Sequence, residues 1–230
     1  MDKRKTYICV LDTETCNSLT TEDGKIDLSQ SLVYDIGYQI IDKKGNVYLK
    51  RSFMVADFFI GEKELMKSAY FADKIPQYWK DYKQGKRKLK LFKHIRWILK
   101  EDLKNYNCSI ICAHNANFDL TALNNTQRYL TCSKWRWFFP YGVEIWNSLS
   151  MARDTIGKQK SYTAYCQKNG YMTKHKTPQV RLTAEILYRY LTGDENFEES
   201  HTGLEDVEIE SAILVNCLKQ HKKMQKSLTD

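Results

Sequence analysis

A short apolar run, Tyr7-Ile8-Cys9-Val10-Leu11, leads straight into Asp12-Thr13-Glu14-Thr15. The run reads as a buried strand. Side chains alternate along a strand, so Asp12 and Glu14 leave the same face about 7 Å apart. Two carboxylates beside a core strand raise each other's pKa, and burial penalises both, unless a cation neutralises them. A hard metal ion suits that task. A solvated strand end with no ion is the other reading of this stretch alone, and the rest of the chain must decide between them.

At 230 residues with 42% hydrophobic content, the chain can bury a sizeable core. The expectation is one α/β domain over 1–230, with its core at about 6–219 and a short or disordered tail at 220–230. Its formal charge of +8, from 36 Lys and Arg against 28 Asp and Glu, favours an anionic partner such as nucleic acid. Cysteines 9, 16, 108, 112, 132, 166 and 217 are odd in number and scattered, with no Cys-x-x-Cys pair. That argues against a disulfide framework or a zinc ribbon and fits a reducing, cytoplasmic location. Met1 to Lys5 is basic like a signal-peptide start, but the apolar run after it is too short and meets Asp12 too soon. No stretch is long enough to cross a membrane.

Along the chain, a polar stretch with a turn at Gly24 precedes a second strand, Leu32 to Ile41. Asp42 to Asn46 reads as a hairpin turn into a third strand, Val47 to Met54. Glu62 to Tyr70 has a helical pattern, Gln84 to Lys88 is a basic loop, and Leu89 to Leu103 is an amphipathic helix. Cys108 to Ala113 is a fourth, buried strand. After it His114-Asn115-Ala116-Asn117-Phe118-Asp119 opens a helix that either Asn can cap, with Asp119 in the first turn. Val143 to Asn147 is a fifth strand, and Arg181 to Leu191 a helix ended by Gly193. A meander followed by alternating strands and helices gives a five-stranded mixed sheet flanked by helices.

Two stretches stay open at this level. Thr131 to Phe139 sets four aromatics beside two cations, and Trp135 to Tyr141 continues it. On a surface that composition stacks bases and holds phosphates; in a core it is ordinary packing, which is the commoner case. The Lys86 to Lys90 cluster is likewise either a solvated loop or a phosphate groove.

In His201-Thr202-Gly203-Leu204-Glu205-Asp206, Thr202 and Glu205 have capping-box spacing, so a helix begins at Gly203. His201 then lies on the arriving loop and Asp206 inside the helix. Leu204, Val207, Leu214 and Leu218 form an apolar stripe, and Asp206 lies on its flank with Ile209 and Ile213. Asp206 taken alone also reads as one of a solvated acidic run with Glu205, Glu208 and Glu210.

The order of these pieces is specific: two carboxylates on the first strand, one after a middle strand, then His and Asp at a late helix. It resembles the DEDDh family of 3′-to-5′ exonucleases, which have a ribonuclease H-like fold, over most of the chain from Tyr7 to about Leu218. The resemblance implies that Asp12, Glu14, Asp119 and Asp206 hold two divalent cations, Mg²⁺ or Mn²⁺, that His201 is the general base, and that Thr13 and Thr15 lie beside the terminal nucleotide. The spacing from His201 to Asp206 agrees with this branch. The sister branch carries a tyrosine nearer the last Asp, where this chain has Thr202. His114 reads as a structural hydrogen-bonding residue.

Hydrolysis of a phosphodiester needs a hydroxide near neutral pH and stabilisation of the leaving 3′ oxygen, which paired oxygen-ligated cations provide. Neutral imidazole accepts the proton from the attacking water. The expected activity is metal-dependent removal of nucleotides from a single-stranded 3′ end, with DNA favoured over RNA. A polymerase or replication complex is a further conceivable partner. The competing reading is a catalytically weak nucleic-acid- or partner-binding module on the same fold. All five expected catalytic positions are filled, which favours the enzyme.

Overall fold

The computed structural model describes residues 4–17, 19–20, 26–131 and 136–228. Its central strand is β1 (Tyr7–Cys16), which keeps pairing well past the apolar run and carries Asp12 and Glu14 within it. A small ribbon of β2 (Leu19–Thr20) and β3 (Ile26–Asp27) follows. The turn expected at Gly24 lies outside the described residues. Strands β4 (Leu32–Asp42) and β5 (Val47–Val55) form the expected hairpin. Asp42 shapes its turn by accepting the backbone N–H groups of Lys44 at 2.9 Å and Asn46 at 3.1 Å.

The segment expected to be helical from Glu62 to Tyr70 is instead a series of short turns, a π turn at Asp57–Gly61 and 3₁₀ turns at Leu65–Ser68 and Ala72–Lys74, leading into α1 (Ile75–Lys83). Next come β6 (Lys88–Lys90), α2 (Phe92–Asn105), β7 (Ile110–Ala113), α3 (Ala116–Leu130) and β8 (Glu144–Asn147). The chain closes with α4 (Ser148–Asp154), α5 (Lys160–Lys168), α6 (Ala184–Thr192) and α7 (Gly203–Lys219). Gly193, at φ +75°, ends α6 as expected.

The main sheet has the order β6-β5-β4-β1-β7-β8 and six strands rather than the expected five. The additional strand is β6, parallel to β5, in the stretch read as a basic loop and a helix start. Its outer residues Lys88 and Lys90 are exposed, as suits a short edge strand protected by charge. The helix that follows therefore begins at Phe92, not Leu89.

Each face of the sheet carries its own core. On one, Cys9, Leu11, Tyr34, Tyr38 and Phe53 pack with Tyr78, Phe92, Ile95, Leu99 and Leu123 from α1, α2 and α3. On the other, Ile8, Val10 and Ile41 pack with Met151, Tyr162, Leu187, Val207, Ile213 and Leu214 from α4 to α7. The alternation along β1 thus feeds two cores, which is why the run Tyr7 to Leu11 is uniformly apolar. Residues 226–228 lie antiparallel along the β8 edge, with Asn147 N–H donating to the Lys226 carbonyl at 2.8 Å and Leu228 N–H to Ile145 at 3.1 Å. Within the expected 220–230 tail, residues 226–228 thus pair with the sheet. Among the described residues no helix is long and apolar enough to cross a membrane.

Candidate metal centre

The site exists because two neighbouring strands stop at different heights. β7 pairs in parallel with β1 only as far as Val10–Cys112, while β1 continues along β4 to Cys16. Beyond Val10 one side of β1 has no ladder partner, and the chain leaving β7 turns into α3 there. Asp12 and Glu14 project from this free stretch, and a register shift between Glu14 and Thr15 bends the strand where its second carboxylate leaves. Asp206, in the first turn of α7, meets them. One carboxylate oxygen from each of Asp12, Glu14 and Asp206 lies within 4.8 Å of the others.

Asp206 is held tightly. Thr202 N–H donates to its Oδ2 at 2.8 Å and Ser200 Oγ to its Oδ1 at 3.2 Å. The expected capping box is therefore altered: the Thr202 hydroxyl donates to Glu205 at 2.8 Å instead of capping the backbone, and Asp206 takes the Thr202 N–H. Asp119 is also at the site. It is buried in the first turn of α3, and Thr13 Oγ1 donates to its Oδ1 at 2.8 Å. Asn115 occupies the N-cap position of that helix, but in a left-handed conformation at φ +67° and without capping it. Its N–H donates instead to Asn147 Oδ1 at 3.1 Å.

Two carboxylates here were not anticipated, Glu199, the strongest neighbouring charge on Asp206, and Glu210. Glu210 is buried, one turn beyond Asp206 on α7, and accepts the His114 N–H at 3.2 Å. The acidic run of α7 thus divides by helical phase: Glu205 and Glu208 are exposed, whereas Asp206 and Glu210 point inward. That four-residue spacing was the available signal. Glu210, Asp12 and Glu199 share a cleft of about 540 Å³ with His114, Arg153 and Arg181. A larger hollow of about 730 Å³ between Phe59, Met66 and Trp79 has no carboxylate in its lining. His114 has the structural role expected of it, with Nε2 paired to the Leu182 carbonyl at 2.7 Å and Nδ1 to Ser148 at 3.0 Å. Burial lowers its pKa to about 4, so it stays neutral.

His201 is on the loop entering α7, as expected, at φ +54°. Its ring stacks on Phe71 with centroids 4.0 Å apart and planes at 8°. Burial, then the nearby Lys74 cation, lowers its pKa, so the imidazole is neutral at physiological pH. The adjoining segment is tied to the site, because Tyr70 N–H donates to the Thr15 carbonyl at 3.1 Å. Thr13 and Thr15 are both buried. With the Thr13 hydroxyl donated to Asp119, what Thr13 can offer a ligand is its backbone.

The start of α7 is fastened by groups far away in sequence. Gly203 N–H donates to Asp35 Oδ2 at 2.9 Å, and Asp35 lies on β4 directly across from Glu14. The backbones of Gly37 and Gly203 come so close that a Cβ on Gly37 would lie 2.2 Å from the Gly203 carbonyl carbon; only glycine permits the contact. Arg87, from the supposedly solvated basic stretch, is fully buried. It donates to Asp35 at 3.3 Å, Asp81 at 3.2 Å, Ser52 at 2.9 Å and Glu205 at 2.7 Å. Nothing in the sequence marked it beyond its being the one Arg among lysines, the residue able to serve several carboxylates at once.

The electrostatics are those of a cation site. Burial and then mutual repulsion hold Asp12 and Glu14 well above the usual carboxylate range, with Glu210 the strongest neighbouring charge on Asp12 and Asp206 on Glu14. Burial raises Asp119 and Asp206 to about 7. Among the described residues no donor or cation reaches the side chain of Asp12 or Glu14. Buried oxygens converging without a donor fit a hard divalent ion, which takes carboxylate ligands.

No family model matches the chain, and no curated protein does. Solved structures do. The 3′-exonuclease solved recognising the histone mRNA stem-loop superposes with a TM-score of 0.58 at 13% identity, over 98% of this chain and 68% of that one. S. pombe Pop2p in its Mg²⁺- and Mn²⁺-bound form gives 0.52 at 11%, over 95% and 85%. The zinc-bound E. coli ExoI–ssDNA complex gives 0.50 at 13%, covering 94% of this chain but 41% of that one. The likeness establishes the expected ribonuclease H-like fold.

Proposed function

We propose that this chain is a metal-dependent 3′-to-5′ exonuclease acting on single-stranded nucleic acid, as one nuclease domain with its core at 6–219. The observation that carries the reading is the meeting of Asp12, Glu14 and Asp206 within 4.8 Å on the free stretch of β1, beside Asp119; His201 lies on the loop entering α7, its ring stacked on Phe71. The fold shared with a 3′-exonuclease and with an ssDNA-bound protein supports it.

Asp12, Glu14, Asp119 and Asp206 would hold two divalent ions, Mg²⁺ or Mn²⁺, which supply Lewis acidity to the phosphate and lower the pKa of water. The chain's own residues do the rest. His201, neutral and on a loop, accepts the water's proton at its imidazole. Thr13 fixes Asp119, while Ser200 and Thr202 fix Asp206, so two of the four carboxylates keep their orientation without an ion. Backbone from Thr13 to Thr15 would lie along the terminal nucleotide. DNA is the favoured substrate, and copurification with a polymerase would mark a proofreading role.

The test is incubation with 3′-labelled and 5′-labelled single-stranded DNA and RNA, in Mg²⁺, Mn²⁺ or chelator. Release of mononucleotides from the 3′ end only, abolished by chelator, is the expected result. Asp12→Asn and His201→Ala should each reduce the rate by roughly a thousandfold or more with circular dichroism unchanged. Unaltered hydrolysis in Asp12→Asn, or none by the wild type in either metal, overturns the proposal.

A further inference from the structure

Residues 132–135 of the aromatic segment before β8 lie outside the described residues; from Arg136 on it divides between core and surface. Arg96 on α2 donates from Nε to the Phe138 carbonyl at 2.7 Å and from Nη2 to the Trp137 carbonyl at 3.1 Å. Phe138 N–H donates to Asn124 on α3 at 2.9 Å. Clasped by two helices, the segment buries Phe138 and Phe139 yet leaves Trp137 57% and Tyr141 98% exposed. Trp97, the neighbour of Arg96 on α2, is 62% exposed. Large aromatics left in water on anchored backbone add little to the core.

These rings surround two hollows that share Pro140. One, of about 180 Å³, is lined by Lys93, Arg96, Trp97 and Lys100. The other, of about 500 Å³, is lined by Leu120, Trp137, Tyr141 and Ile145. Leu120 follows Asp119 on α3, so the second hollow begins on the helix that reaches the carboxylate centre. Lys93 and Lys100 are exposed at the first hollow, and among the described residues lining the two hollows Glu144 is the only carboxylate. Cations outnumber carboxylates where the rings are exposed, which favours a polyanion with flat, stackable groups over an acidic peptide.

We propose that this face is a binding surface for single-stranded nucleic acid, holding the strand that leads to the 3′ end by stacking bases on Trp97, Trp137 and Tyr141 while Lys93 and Lys100 meet phosphates. The inference rests on the nuclease reading for the direction of the strand, but its test does not depend on hydrolysis. A closed circle of single-stranded DNA has no terminus to enter the carboxylate centre, so its binding to the full chain, followed by fluorescence anisotropy over a salt series, reports on this face.

The wild type should bind the circle. Trp97→Ala with Trp137→Ala should weaken binding at least about tenfold, Trp97→Phe with Trp137→Phe should largely restore it, and Lys93→Glu with Lys100→Glu should flatten the salt slope by roughly 1.4. All three should hydrolyse a dinucleotide at the wild-type rate and melt at the wild-type temperature. Failure of the wild type to bind the circle overturns the proposal, as does equal binding by the Trp97→Ala, Trp137→Ala variant. Hydrolysis without circle binding would remove this face and leave the nuclease reading; circle binding without hydrolysis would do the reverse.

Discussion

Glu210 is the residue whose environment is hardest to explain without a bound cation. It is buried beside Asp12, accepts one backbone N–H, and has no positive side chain paired with it among the described residues. Burial raises its pKa, followed by repulsion from Asp119. Glu210→Gln keeps the shape and the hydrogen bond and removes the charge. In metal-free protein this should raise stability by roughly 1–2 kcal/mol in urea unfolding, because one like charge leaves the cluster. Titration calorimetry should show Mn²⁺ binding weakened at the same time. Opposite changes in the two measurements are expected if Glu210 serves the metal centre, whereas loss of stability without a change in Mn²⁺ affinity would make it a packing residue.

At the scale of elements, the question is what holds α7 in register with β1, since a small shift would part Asp206 from Asp12 and Glu14. Two devices do so: the Gly37–Gly203 contact and the buried Arg87, whose guanidinium also lies 4.6 Å over the Tyr78 ring. Burial and the Asp35 charge act on Arg87 in opposite directions, and its pKa remains raised, so it stays a cation. Arg87→Met leaves Asp35 and Asp81 buried without their cation and should cost about 3–5 kcal/mol in urea unfolding. Arg87→Lys should recover only part of this, because one ammonium cannot replace nitrogens that reach Asp35, Asp81 and Glu205 separately. Full stability in Arg87→Met would rule out this anchoring.

For the whole molecule, the carboxylate cluster couples folding to pH and to metal. Asp119 and Asp206 have pKa values of about 7 in the fold, against about 3.9 in an unfolded chain. A raised folded pKa gives stability that is fully present below about pH 4 and lost as pH rises through 7. Metal-free protein should therefore melt at a lower temperature at pH 8 than at pH 5. Mn²⁺ should oppose that decline, adding about 2.7 kcal/mol at a hundredfold excess over its dissociation constant, and should act more strongly at pH 8. Melting curves at both pH values, with Mn²⁺ and with chelator, check the sign; a metal effect equal at the two pH values would argue against ligation by these groups.

Much of this was legible in the sequence by itself, because local rules govern it. Alternation along a strand sets Asp12 and Glu14 on one side, the β4–β5 turn carries its own Asp and Gly, and a Thr-x-x-Glu before an apolar stripe opens α7 beside Asp206. The edge strand β6 was not legible, since three residues with two exposed lysines have no periodicity to read. Nor was the burial of Arg87 or the division of the aromatic segment, from Arg136 on, between core and surface. Each depends on which distant backbone comes alongside, and only tertiary packing decides that. The sequence by itself determined which carboxylates were available; the early end of β7 and the seating of α7 on β4 decided which of them meet.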